Sequence, residues 1–110
     1  MMENPPALDL RRLQLEVTRW AERNFHRRES YQPLLGLMEE VGELAHAHLK
    51  EEQGIRGTPE ELQAEARDAV GDIIIYLADY CNMRGWSMQV ILEGVWKHVQ
   101  QRDWTWEEGK

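Results

Sequence analysis

The sequence predicts an all-α protein of four helices, and three observations predict it. Apolar residues recur at helical spacing through most of the chain, and no stretch alternates apolar and polar residues as a strand does. Glycines, prolines and capping residues then cut the chain into four segments of helical length. A four-helix bundle, each helix turning its apolar stripe inward, is the architecture such segments build.

The first helix is expected over residues 7–25, with Leu10, Leu13, Val17 and Trp20 or Ala21 as its stripe. The basic turn His26-Arg27-Arg28-Glu29-Ser30 ends it. The second begins near Gln32, where Pro33 suits a first turn whose N–H groups have no helical acceptor, and continues to about Gln53 before the stop at Gly54. After a loop over 54–57, Thr58-Pro59-Glu60-Glu61 reads as a capping box with proline at the first helical position. It opens a third helix that runs to about Met83, before Gly85. Ser87 is placed to cap a fourth, with Trp86 able to staple against Ile91, and this helix is expected to reach roughly Arg102. The tail over 103–110 carries Trp104 and Trp106, which are expected to cover a subunit contact.

At 110 residues the chain is one domain with a modest core. No apolar run is long enough to cross a membrane, and the start has no signal pattern, so a cytoplasmic protein is expected. The single cysteine, Cys81, lies on an apolar face and excludes an intramolecular disulfide. A formal net charge of −7 with no basic stripe argues against nucleic-acid binding. An anionic substrate would need metal ions and local cations to hold it.

Two consecutive helices each carry a cluster of carboxylates. At about 100° per residue, Glu39, Glu40 and Glu43 fall on one side of the second helix and Leu34, Met38, Val41, Leu44 and Ala45 on the other. On the third, Glu65, Asp68 and Asp72 oppose Val70, Ile73, Ile74, Leu77 and Cys81. One such row is an ordinary solvated face. Two in succession, with few lysines among the acids, point to a divalent cation, because neighbouring like charges cost a helix a few tenths of a kcal/mol per pair, roughly. Oxygen ligands of this kind suit Mg2+, with Mn2+ the alternative.

The segment Glu39-Glu40-Val41-Gly42-Glu43-Leu44 resembles the Glu-Glu-x-x-Glu motif of the MazG-like members of the all-α nucleoside triphosphate pyrophosphohydrolases. The segment Asp68-Ala69-Val70-Gly71-Asp72, followed by the apolar run Ile73 to Leu77, is similar to the family's Glu-x-x-Asp motif on the next helix. The resemblance spans most of the chain. It implies Mg2+-dependent hydrolysis of a nucleoside triphosphate between its α and β phosphates, giving monophosphate and pyrophosphate. It further implies Glu40, Glu43 and Asp72 as metal ligands, Glu39 as the residue that orients or deprotonates the attacking water, and assembly as a homodimer or a tetramer built from dimers. Dimerisation would complete the bundle.

The chain departs from the family at one position. Ala69 stands three residues before Asp72, where the motif has glutamate. Asp68 is the expected substitute as fourth ligand, lying about 40° to one side of Asp72 where residue 69 lies about 60° to the other. Its shorter reach can be bridged by water, and Glu65 is the second choice.

For the phosphates, Lys97, Arg102 and Lys50 are the candidate cations, each also readable as a solubilising residue near a helix end. For the base, Trp20, Phe25, Trp104 and Trp106 are candidates, each also readable as a packing anchor. Other functional readings stand beside the hydrolase: a degenerate site that binds nucleotide without cleaving it, and a helical module that pairs with a partner protein. Glu43 and His46 have the Glu-x-x-His spacing of di-iron bundles, but the chain has one such step where those sites use two. His48 is expected in the core or an interface.

Overall fold

The computed structural model describes residues 7–102, which form four α-helices and no strand. They are α1 (Leu10–Asn24), α2 (Tyr31–Gln53), α3 (Pro59–Arg84) and α4 (Met88–Val99). Trp104 and Trp106 lie outside the described residues. None of the helices is long and apolar enough to cross a membrane.

Local hydrogen bonds set the ends. α1 starts later than the sequence suggests because the Asp9 side chain caps it, accepting from the Arg12 N–H at 2.8 Å. The capping box at α3 closes on both sides: the Thr58 N–H donates to Glu61 Oε1 at 3.0 Å, and the Glu61 N–H donates to Thr58 Oγ1 at 3.1 Å. Gly54 and Gly85 end α2 and α3 at φ of 65° and 70°, a conformation that carries no steric penalty for glycine. Ser87 caps α4 through the Val90 N–H, but this helix ends at Val99, so Arg102 lies beyond it. Trp86 stands edge-on to Tyr80 with Arg84 over its ring.

α2 and α3 form an antiparallel hairpin, α1 lies against α3, and α4 lies against α1. Gln14 on α1 fastens three of these elements. Its amide donates to Asn82 Oδ1 at 2.9 Å and to the Trp86 carbonyl at 2.8 Å, and its Oε1 accepts the Met88 N–H at 2.8 Å. Beside it, Val17, Ala78, Cys81 and Met88 make a small core, with Leu10 and Leu13 packed on its edge. Burial pushes the Cys81 thiol above its ordinary pKa.

The packed face of α2 is not the one its large apolar residues suggest. Pro33, Glu40 and Ala47 recur at seven-residue intervals and so share one line of the helix; Pro33 and Ala47 are buried and Glu40 is half-buried. On α3 the same spacing links Leu62 and Ala69, both buried, with Tyr76, half-buried. Leu34, Met38, Val41 and Ala45, expected to face the core, are exposed, as are Val70, Ile74 and Leu77 of α3. The reason is steric. Small residues such as Gly36, Ala47 and Ala69 let the two helices approach closely, and the larger side chains are left on the outside of the hairpin. The radius of gyration, 18.1 Å, exceeds the about 13 Å of a compact domain of this length. With the larger side chains left outside, the four helices bury one small core.

Candidate functional site

The interhelical geometry opens a cleft of about 1230 Å³ bounded by α1, the connection to α2, and the α2–α3 hairpin. Pro33 and Glu40 contribute from α2, and Asp72, Ile75, Tyr76 and Asp79 from α3. Trp20, Arg19 and Arg23 come from α1, and Phe25, His26, Arg27 and Arg28 from the connection. The site is wider than a groove between α2 and α3 alone, because α1 supplies a full wall.

Two acids from neighbouring helices, Glu40 and Asp72, line the cleft. Glu40 is held above the ordinary carboxylate range, first by its partial burial, then by the neighbouring charges of Glu43, Asp72 and Glu39. Three other acids singled out by the sequence thus act on Glu40, Glu39 and Glu43 from α2 and Asp72 from α3, although Glu39 and Glu43 are exposed and do not line the cleft. Asp68 is exposed, one turn from Asp72 toward the start of α3, and does not line the cleft. Glu65 is exposed as well. Ala69, at the position where the family motif has glutamate, is 2% exposed and packed in the α2–α3 contact. Among the described residues, no three acidic, histidine or cysteine side chains converge as ligands of one metal ion.

Basic and aromatic residues line the cleft as well. Asp79 lies seven residues after Asp72 on the same line of α3, about 10.5 Å away along the helix. Both guanidinium nitrogens of Arg28 donate to it, Nη2 to Oδ1 at 2.9 Å and Nη1 to Oδ2. This hydrogen bond and the Asp79 charge raise the Arg28 pKa further. Arg28 also lies 5.0 Å from the centroid of the Phe25 ring, and Phe25 stands edge-on to Trp20 at 5.5 Å. Arg19, Arg23 and Arg27 make no ion pair among the described residues.

Of the candidate substrate contacts, Trp20 and Phe25 reach the cleft and Lys50, Lys97 and Arg102 do not. Lys50 lines a smaller hollow of about 320 Å³ with His46 and Arg56 at the far end of α2. Lys97 is exposed on α4, and Arg102 is exposed past its end. His48 is exposed and pairs with Glu52 at 3.2 Å, so it is not a core residue: the helix turns it to solvent with the rest of the outer face. Sequence reasoning passed over the arginines of α1 and the connection, together with Asp79 and Tyr76. A usable signal was present in the turn Arg27-Arg28, whose charge has more to do than end a helix, and in the seven-residue step from Asp72 to Asp79.

The chain matches no family model, no curated protein and no solved structure.

Proposed function

We propose that the chain is a Mg2+-dependent nucleoside triphosphate pyrophosphohydrolase, acting in the cytoplasm as a homodimer or a tetramer built from dimers. The observation that carries this reading is that Glu40 and Asp72, from two helices, act on one another in a cleft that is also lined by aromatic and cationic side chains. Glu40, Glu43 and Asp72 would hold the metal, with Asp68 completing the set through water. The bound ion would neutralise phosphate charge and orient the substrate.

Glu39 takes the proton of a water whose oxygen bonds to the α-phosphorus, as the bond from that phosphorus to the bridging oxygen breaks and pyrophosphate departs. Trp20 and Phe25 offer the base a stacking surface, and Arg19, Arg23 and Arg27 supply cations for the phosphates. The exposed apolar residues of α2, α3 and α4 are the surface a second copy would cover.

Two observations favour a second reading, in which the site binds a nucleotide without cleaving it: Ala69 is packed where the family motif has glutamate, and no three acids converge among the described residues. Pyrophosphate release from a panel of canonical and modified nucleoside triphosphates, with and without magnesium, separates the two. Magnesium-dependent release that is lost in Glu40→Gln is the result expected, and its loss in Asp68→Asn would assign the fourth ligand. A folded chain that binds a nucleotide and releases no pyrophosphate from any of them would establish the second reading.

A further inference from the structure

Asp79 is the one buried charged residue among the described residues, at 6% exposure. Its partner comes from 51 positions away, in the connection between α1 and α2. Residues 26–28 of that connection make no backbone–backbone hydrogen bond among the described residues, so the bidentate grip of Arg28 on Asp79 is what fixes the segment to α3. From Arg28 the contacts pass to Phe25 and then to Trp20. The aromatic wall is thereby registered to α3, the helix that also carries Asp72.

We infer that the Arg28–Asp79 pair is a positioning device that sets where the Trp20–Phe25 wall stands relative to Glu40 and Asp72, and so determines which planar bases the cleft accepts. The inference rests on the nucleotide reading of the cleft. A purely structural role is a weak explanation for the pair, because a buried ion pair commonly stabilises no better than apolar residues of the same volume. What it supplies beyond packing is a fixed planar geometry, which guanidinium and carboxylate enforce through two parallel hydrogen bonds. Arg28 and Asp79 also line the cleft and lie outside the apolar core.

The test compares the full-length chain with Arg28→Lys and with the double variant Arg28→Met, Asp79→Leu, which replaces the pair by apolar residues. Folding is followed by circular dichroism, and kcat and KM are measured for purine and pyrimidine nucleoside triphosphates. The double variant is expected to stay folded, raise KM by roughly tenfold or more while kcat changes far less, and narrow the difference between purines and pyrimidines. Arg28→Lys, which keeps the charge and loses the fork, is expected to fall between. A folded double variant with unchanged KM for every base overturns the inference. Binding of a non-hydrolysable triphosphate by calorimetry keeps the two proposals apart. If the unaltered chain shows no turnover but its binding weakens in the double variant, the inference holds and the hydrolase reading fails; if it binds no nucleotide, both fail.

Discussion

The ring of Tyr76 on α3 lies across Gly36 on α2, so close that a β-carbon at Gly36 would stand 2.6 Å from the ring Cζ and 2.9 Å from Cδ1. Tyr76 lines the cleft one turn after Asp72, so the missing side chain at position 36 is what lets the tyrosine form part of its floor. Gly36→Ala is expected to destabilise the chain, because overpacking costs about 1–3 kcal/mol whereas alanine gains only ~0.5–1 kcal/mol over glycine within a helix. Gly42 on the same helix has nothing within 4 Å of an added β-carbon, so Gly42→Ala should raise stability by roughly 0.5–1 kcal/mol. Urea denaturation of the two variants reads both signs, and equal effects would mean that Tyr76 does not rest on Gly36.

Glu40 makes stability depend on pH in a defined direction. Its folded pKa lies above the ordinary glutamate value, so between the two the folded state holds a proton that the unfolded state has released. Stability without metal should therefore fall as pH rises from the ordinary glutamate range through the raised value. Glu40→Gln removes the group and with it that fall, giving a higher Tm than the unaltered chain in metal-free buffer at neutral pH. Added magnesium should stabilise the unaltered chain and do so much less in Glu40→Gln. Thermal unfolding across about pH 4 to 8, with magnesium or a chelator, measures this. A Glu40→Gln variant less stable than the unaltered chain without metal would mean that the acids do not repel one another.

The element boundaries were legible where a single side chain decides them. Thr58 with Glu61, Gly54, Gly85 and Ser87 each act through local hydrogen bonds or one backbone angle, which neighbouring residues fully specify. The association of Glu40 with Asp72 was legible too, since their helices are consecutive and joined by a short loop. The inward face of α2 was not. Periodicity marks Leu34, Met38 and Val41 as one apolar stripe, but it cannot tell a stripe covered by the same chain from one left outside it. The close approach is decided instead by Gly36, Ala47 and Ala69, whose small size has little weight in a hydrophobic pattern. Nor could spacing pair Arg28 with Asp79, which meet only once α1, its connection and α3 are packed together.

The capping box at α3 is a second place where pH and stability are linked, with the opposite sign. Hydrogen bonds from Thr58 hold the Glu61 carboxyl below its ordinary pKa, so its contribution is present above the unfolded value and is lost as pH falls through the folded one. Thr58→Ala removes the acceptor for the Glu61 N–H and should cost about 1 kcal/mol. In that variant the part of the acid transition due to Glu61 should shrink only in part, because the Thr58 N–H that donates to the Glu61 carboxylate remains. Chemical denaturation of both chains at neutral and mildly acidic pH gives the comparison, and an unchanged midpoint for Thr58→Ala would show that Pro59 alone starts the helix.

The exposed apolar surface makes the strongest demand on the protein as a whole. On α4, Val95 and Trp96 are 55% and 57% exposed, and on α2 Met38 is 60% exposed. Each large apolar side chain moved from water into an interface contributes roughly 1.5–3 kcal/mol before ordering costs, so a handful of them can drive association. The stripe on α2 and the face of α4 lie on different helices, so they can be tested separately with Met38→Glu and Trp96→Glu. Sedimentation of the unaltered chain is expected to show a dimer or tetramer, with a Tm that rises with protein concentration. The substitution that falls within the contact should yield a monomer of lower Tm, and the other should leave assembly in place. If Met38→Glu is the one that dissociates the assembly, the contact lies on the same helix as Glu39, Glu40 and Glu43, and metal affinity should fall along with it. If Trp96→Glu does so, metal affinity should persist in the monomer, because α4 packs on α1 and lines none of the cleft. A chain that stays monomeric at every concentration would leave both faces to another partner and remove the dimer from the proposal.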